Sequence, residues 1–266
     1  MTDIHESALV CLQSRDADEK CRLTHALMLE SRNHFVIDDR KNTVKPLAIP
    51  GYPDSLELVS PRHLKRRRLG TVEGRAALIH ALAHIEFNAI NLALDAVYRF
   101  RNLPTEFYRD WLRVADEEST HFLLLHTHLC SLGYNYGDFP AHDGLWEMAV
   151  KTAEDVMARM ALVPRCLEAR GLDVTPGIQK KLINNGDTVA ALILGIILRD
   201  EIGHVSIGSR WFKYCCQLQD LEPERSFKQL VEKYFVGELR GPYHIEARRQ
   251  AGFSEAELNY LQFHHE

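Results

Sequence analysis

Apolar and polar residues follow a helical order over most of this chain. From Gly70 onwards, apolar residues recur every three or four positions, as one buried helix face requires, and we find no alternation of strand type. The pattern predicts four long helices, and Gly133 and Gly171 mark the ends of the second and third because glycine favours helix C-termini. Their expected bounds are about residues 71–100, 106–132, 145–170 and 188–216.

The first 69 residues carry weaker helix signals. One short helix is expected at about residues 8–29. Residues 46–61 contain four prolines, which favour extended structure over helix. We therefore interpret residues 1–69 as an arm and lead-in before the main helices.

Local signals refine the later part of the chain. Pro164 lies inside the third predicted helix and indicates a kink. Asp187 can cap the fourth helix. A further helix is expected at about residues 222–238, and Ser254 and Glu257 have the spacing of a capping box for a last short helix.

Composition narrows the class of protein. With 45% hydrophobic and 26% charged residues among 266, the chain can bury a full core. Its net charge of −5 gives no general attraction to nucleic acids or anionic membranes. The longest apolar run, residues 189–198, is too short to cross a bilayer, and no signal peptide is recognised. Six cysteines without a CxxC pair indicate reduced thiols, so we expect a cytoplasmic protein without a membrane anchor.

Two Glu-x-x-His motifs carry the candidate chemistry. Glu118 and His121 lie in the second helix, and Glu201 and His204 lie in the fourth. Side chains three residues apart on a helix can reach one metal ion. In a chain with 21 Glu and 14 His, about one such pair is expected by chance. The apolar faces around both pairs are the stronger sign, because carboxylates are rarely buried unless they are paired or bind a metal.

A metal-binding helical bundle needs one further carboxylate from each remaining helix. Glu86 is the candidate in the first helix, because its face is apolar over most of the helix. In the third helix, Glu168 and Glu154 are both candidates. We favour Glu168 because it lies 33 residues before the motif that follows, and Glu86 lies 32 residues before its own motif. Nearly equal separations suit two similar helical hairpins.

Glutamate and histidine in this arrangement suit a pair of divalent ions. Four carboxylates balance four positive charges, and imidazole adds a neutral ligand that iron accepts. Open positions would remain for dioxygen or water. We predict two metal ions, with iron favoured and manganese or a mixed pair left open. The predicted ligands are Glu86, Glu118, His121, Glu168, Glu201 and His204.

Other polar residues are weaker candidates. Asp116 and Asp200 lie close enough in sequence to orient the histidine ligands, and His128 lies two turns beyond the first motif on the same face. His80 and His84 have the spacing of a metal pair, but they face away from the predicted ligand of the first helix. We interpret both as surface or packing residues.

Two sets of basic residues allow more than one interpretation. Residues 65–68, Lys-Arg-Arg-Arg, form the strongest run of charge in the chain. We interpret the run as a solvated lead-in, with a contact to an anionic substrate such as RNA as the alternative. Arg165 precedes Glu168 by one turn and is a candidate partner for a ligand carboxylate, although such pairs are often structural.

Four segments resemble a known family: AHIEFNAINLALDAVYRF, ADEESTHFLLLHTHL, MALVPRCLEARGLDVTP and ILRDEIGHVSIGSRWF. They resemble an uncharacterised bacterial ferritin-like family, domain of unknown function 455, over roughly residues 20–250. The combination of EARGLDVTP with DEIGHVSIG is more specific than either Glu-x-x-His motif. That family is similar to the di-iron tRNA hydroxylases of the MiaE type, whose third bundle helix also has Glu-Ala-Arg at the ligand position.

The resemblance implies a ferritin-like fold with a di-metal site and supports Glu168 as a ligand. It supplies no substrate. We therefore predict an all-α protein with an N-terminal arm over residues 1–69, a ferritin-like four-helix bundle over residues 70–216, and a C-terminal helical extension over residues 217–266.

The leading functional hypothesis is an oxidoreductase, in which a di-iron centre activates dioxygen to hydroxylate an unknown organic substrate. RNA is kept as one candidate substrate. The alternative is a metal-binding or storage protein without turnover, and a third hypothesis is a helical protein that binds no metal. We expect a monomer or homodimer, whereas ferritin-type storage needs a closed shell.

Overall fold

The computed structural model describes residues 3–33, 36–38, 44–65, 67–235 and 241–263. Within these ranges the chain is helical, with isolated β-bridges and no strand. The α-helices, in chain order, are α1 Ile4–Gln13, α2 Ala17–Asn33, α3 Val72–Arg99, α4 Thr105–Ser131, α5 Gly144–Lys151, α6 Val156–Leu162, α7 Ala169–Asn184, α8 Thr188–Leu218, α9 Pro223–Tyr234, α10 Ile245–Gln250 and α11 Glu255–Phe263. A 3₁₀ turn at Pro61–His63 precedes α3, and a π-helical segment at Val163–Glu168 joins α6 to α7.

The chain folds into two compact units. The first unit comprises residues 1–150 and 185–193, and the second comprises residues 151–184 and 194–266. In the first unit, α3 packs along α4, while α1 lies on α3 and α2 lies on α4. In the second unit, α6 contacts α9, α7 contacts α10, and α11 contacts both α9 and α10.

The helices predicted most closely are those with strong caps. Thr71 accepts a hydrogen bond from Gly74 N at 3.0 Å at the start of α3, and Asp187 accepts one from Ala190 N at 3.0 Å at the start of α8. Gly133 takes a positive φ of 86° after α4, as a C-terminal glycine should. The predictions of α3, α4 and α8 are confirmed to within two residues.

The N-terminal helix and the third long helix were predicted wrongly as single elements. Asp16 accepts a hydrogen bond from Glu19 N at 2.8 Å and starts α2, so the predicted helix at residues 8–29 is interrupted. In the later region, a turn at residues 152–155 separates α5 from α6. The kink indicated by Pro164 takes the form of the π-helical segment. Gly171 does not end a helix, because the positive φ that stops a helix occurs at Gly186 instead, beyond α7.

Two further predictions fall at the edges of the described residues. The expected helix at residues 222–238 is observed as α9, and its predicted last residues lie outside the described part of the chain. Arg66 of the basic run also lies outside it. The predicted capping box is confirmed, since Ser254 N donates to Glu257 Oε2 at 2.9 Å and Glu257 N donates to Ser254 Oγ at 3.2 Å.

One described helix is long and apolar enough to cross a membrane. This helix is α3, and 78% of its most apolar window is buried inside the fold. Because its apolar residues are covered by protein, α3 has the character of a core helix.

Candidate metal centre

Three of the predicted ligands meet inside the first unit. Glu86 comes from α3, and Glu118 and His121 come from α4. Their side chains are almost completely buried, with exposed fractions of 4%, 0% and 1%. The ligand atoms of these three residues lie within 4.8 Å of one another, which is close enough for one metal ion to contact all three. The close packing of α3 along α4 brings them together.

Helix periodicity explains why these side chains point inward. Around Glu86, the α3 residues Ala83, Phe87 and Ile90 are fully buried. Around Glu118 and His121, the apolar residues of α4 are equally covered: Val114, Ala115, Phe122 and Leu125. The carboxylates therefore lie on the apolar faces that pack the core, as the sequence pattern predicted.

One carboxylate oxygen in this cluster lacks a hydrogen bond within the described residues. His121 Nδ1 lies 3.1 Å from Glu118 Oε2 and 3.4 Å from Glu86 Oε2. A single ring nitrogen has one proton to donate, so it cannot satisfy both oxygens. Glu86 Oε2 is buried and makes no hydrogen bond within the described residues. A cation between these oxygens would meet that need.

The protonation equilibria reflect the same surplus of negative charge. Burial, together with the nearby Glu118 carboxylate, raises the pKa of Glu86 above its ordinary value. Burial alone would lower the pKa of His121, but its hydrogen bond with Glu118 and the negative charges of Glu118 and Glu86 outweigh that effect and raise the pKa. Without a metal the cluster therefore holds protons, and a divalent ion can replace them.

The remaining predicted ligands belong to the second unit. Glu201 and His204 lie on α8, with His204 Nδ1 3.9 Å from Glu201 Oε2. Both are buried, at 8% and 0% exposure. Glu168 is the last residue of the π-helical segment and is half-buried. Glu154, the other candidate from the third predicted helix, lies in the turn between α5 and α6, so its predicted place on a helix is wrong.

The candidates for orienting the histidines have other partners. Asp116 lies 2.8 Å from His25 Nδ1, and Asp200 accepts from Arg199 Nε at 2.8 Å. His128 Nε2 lies 2.9 Å from a carboxylate oxygen of Asp187, the residue that caps α8. The contacts of Asp116 and His128 lie within the first unit, and the contact of Asp200 lies within α8.

His80 and His84 are buried, so the predicted surface position is wrong and the predicted packing role fits. His80 Nε2 accepts a hydrogen bond from Gly137 N at 2.9 Å. His84 Nδ1 lies 2.8 Å from the Tyr136 hydroxyl, and His84 Nε2 lies 3.0 Å from the His142 carbonyl oxygen. Both histidines hold the loop between α4 and α5 against α3. Burial lowers the pKa of each to about 4, so both rings are neutral at pH 7.

Sequence reasoning missed the partner of Arg165. The Arg165 guanidinium pairs with Glu257 at 2.8 Å and with none of the predicted ligands. Glu257 was recognised only as a capping residue, and a separation of 92 residues gave no sign of the pair.

Comparisons with known proteins show to which family the chain belongs. A protein family described as "Protein of unknown function (DUF455)" matches residues 13–259 of this chain. An "Uncharacterized protein" of Haemophilus influenzae is 46% identical over 271 aligned positions, which cover 98% of this chain and 94% of that protein. No solved structure gives a significant match.

Proposed function

We propose that this chain, which belongs to the DUF455 family of proteins of unknown function, is a di-metal carboxylate protein. We further propose that the metal is iron and that the protein is an oxygen-activating oxidoreductase of the hydroxylase type. The observation that carries this proposal is the buried cluster of Glu86, Glu118 and His121. Two carboxylates and one imidazole in a core leave a charge that a cation would balance.

Three further ligands are proposed in the second unit. They are Glu168, Glu201 and His204, of which Glu201 and His204 lie one turn apart on α8. Each of the two sets would offer carboxylates and one imidazole to a divalent ion. The matching composition of the two sets and their nearly equal sequence separations support this assignment. The known ligand pattern of helical di-metal carboxylate proteins has the same residue types.

The protein's own groups perform defined tasks in this scheme. A bound pair of iron ions would supply the redox chemistry that dioxygen requires. Glu86 and Glu118 would neutralise the positive charge, and the Nδ1 atom of His121 would have to release its proton before it could act as a ligand. The burial of all three side chains excludes water from the ligands. A reactive centre is thereby shielded from side reactions with solvent.

Several finer features belong to the same proposal. The resemblance to di-iron tRNA hydroxylases supports a ferritin-like arrangement of the bundle and hydroxylation of an organic substrate, with dioxygen as co-substrate. Manganese or a mixed pair would use the same ligand types. The cytoplasm, as a reducing compartment, suits a chain whose six cysteines are free. We further propose a monomer or homodimer.

The test measures metal in the purified full-length chain after anaerobic reconstitution with Fe²⁺. We expect about two ions per chain, as in other carboxylate-bridged helical sites. Glu118→Gln removes one ligand charge while keeping the side-chain size, and most of the metal should be lost. Glu117→Gln is the matched control, because Glu117 is the partly exposed neighbour on the same helix and should leave metal content unchanged.

Three outcomes would contradict the proposal, two of them for the metal centre and one for the oxidoreductase activity. A wild-type chain that binds no metal, or a Glu118→Gln variant that keeps it all, would overturn the metal centre. Metal-loaded protein that consumes no oxygen with any reductant and candidate substrate would overturn the oxidoreductase and favour a binding or storage role.

A further inference from the structure

The π-helical segment at Val163–Glu168 interrupts an otherwise α-helical stretch of the second unit. A π turn is an energetically poor form of helix that proteins retain most often at functional sites. Here the segment ends on Glu168, a proposed ligand. Contacts from other helices must hold this turn in place, and two sets of contacts do so.

The first contact is made by Pro164 against Gly208 on α8. A Cβ atom at position 208 would lie 2.3 Å from Pro164 Cγ, so only glycine allows this approach. Gly208 follows Glu201 by seven residues, which is two helical turns on the same face of α8. The contact therefore fixes the segment that carries Glu168 against the helix face that carries Glu201.

The second contact is made by Arg165, which is fully buried. Its Nε donates to Ser209 Oγ on α8 at 3.1 Å, and its Nη2 donates to Glu257 Oε2 on α11 at 2.8 Å. Phenyl rings enclose the guanidinium group, with centroids 4.4 to 4.8 Å from its central carbon: Phe212, Phe227 and Phe253. The π-helical segment is thus tied to α8 and to the C-terminal helices by one side chain.

We propose that Arg165 and Glu257 are positioning residues for the metal centre. They hold the π-helical segment on α8 so that Glu168 and Glu201 reach the separation that a shared metal requires. The C-terminal helices thereby control the geometry of the ligands without contributing one. This inference rests on the proposed function.

Energetics favour a positioning role over simple stabilisation. A buried ion pair often contributes less stability than apolar residues of similar size, because both charges lose their hydration. An apolar residue at position 165, among three phenyl rings, would fill the same space. The charged pair instead adds directional hydrogen bonds, which fix where the segment lies.

The test uses Co²⁺ as a probe, because its visible absorption reports coordination geometry. Glu257→Gln keeps the side-chain size and removes the charge that holds Arg165. We expect it to remain folded, to bind Co²⁺ at least about tenfold more weakly, and to change the absorption spectrum. Glu255→Gln is the matched control on the same helix: Glu255 pairs with Arg249 at 2.6 Å on the surface and should change neither affinity nor spectrum.

Wild-type affinity and spectrum in Glu257→Gln would overturn the proposal. If that variant does not fold, Ser209→Ala takes over the test, since it removes only the acceptor of Arg165 Nε. A smaller loss of affinity with the same spectral change is expected, and unchanged Co²⁺ binding would overturn the proposal. A wild-type chain that binds neither Co²⁺ nor Fe²⁺ would instead refute the proposed function itself.

Discussion

Two groups of buried charged residues differ in how their charges are matched. The acidic cluster, Glu86, Glu118 and His121, places two carboxylates against one imidazole. The guanidinium network of the second unit pairs each carboxylate with an arginine: Arg165 with Glu257 at 2.8 Å, and Arg248 with Asp173 at 2.7 Å. Both groups lie in apolar surroundings, so burial does not distinguish them.

The balance of charge is what separates a ligand site from a structural lock. Matched pairs balance one another's charge and need no further charged group, whereas a surplus of carboxylates requires protons or a cation. In the acidic cluster the surplus appears as a raised pKa of Glu86, caused by burial and by Glu118. Buried acidic residues are therefore informative about function only after their partners have been counted.

The largest loss of stability is expected when the guanidinium network loses one of its carboxylate charges. Asp173 accepts from Arg248 Nε at 3.0 Å and Nη2 at 2.7 Å, and Arg248 is 2% exposed. Asp173→Asn leaves that guanidinium without its charge partner, so we expect the free energy of unfolding to fall by about 3–5 kcal/mol. Urea denaturation of metal-free protein measures this loss.

The exposed ion pair of the same region serves as the control for Asp173→Asn. Breaking the surface pair of Arg249 with Glu255→Gln should cost less than about 1 kcal/mol, because water solvates both groups. Equal losses in the two variants would show that the buried network is not a structural lock.

Two glycine substitutions on α8 should change the stability of the protein in opposite directions. Gly208→Ala forces a methyl group onto Pro164, and overpacking of this kind costs about 1–3 kcal/mol. Gly203→Ala, on the same helix and between Glu201 and His204, meets no other atoms within 4 Å. It should raise stability by roughly 0.5–1 kcal/mol, since alanine favours helix more than glycine does. Thermal unfolding of both variants should show shifts of opposite sign.

The acidic cluster should also make the stability of the metal-free protein depend on pH. In metal-free protein, folded Glu86 keeps a proton that the unfolded chain releases above the ordinary value of 4.5. Its contribution to stability is complete below that pH and is lost as pH rises through the raised pKa of the folded state. Glu86→Gln carries no such proton, so its stability relative to wild type should improve by about 1 kcal/mol or more with rising pH.

Urea denaturation at several pH values, with a chelator present, measures the difference between Glu86→Gln and wild type. Parallel pH curves for the two proteins would contradict a raised pKa of Glu86. They would also remove the argument that the cluster holds excess negative charge.

The sequence predicted α3, α4 and α8 well because several local signals agreed there. All three have an apolar face; Thr71 and Asp187 cap the starts of α3 and α8, and Gly133 follows the end of α4 with a positive φ. The same property made Glu86, Glu118 and His121 recognisable, since an acidic residue on an apolar helix face is conspicuous. Contacts between helices were not needed for those predictions.

The third predicted helix failed because its structure depends on distant partners. The space for Pro164 is created by Gly208, and the partner of Arg165 is Glu257, which is 92 residues away. The periodicity of apolar residues carries no information about contacts between segments that are distant in sequence. Gly171 was likewise indistinguishable by sequence from a helix-ending glycine, although only Gly186 has the positive φ.

The carboxylate of Glu257 has a consequence for how the chain acquires its structure. Its Oε2 atom accepts from Ser254 N, three residues away, and from Arg165 Nη2, 92 residues away. The start of α11 and the docking of the C-terminal helices therefore depend on one atom. A nascent chain cannot complete this arrangement until residue 257 has left the ribosome, so the π-helical segment should gain its final shape only after that residue emerges.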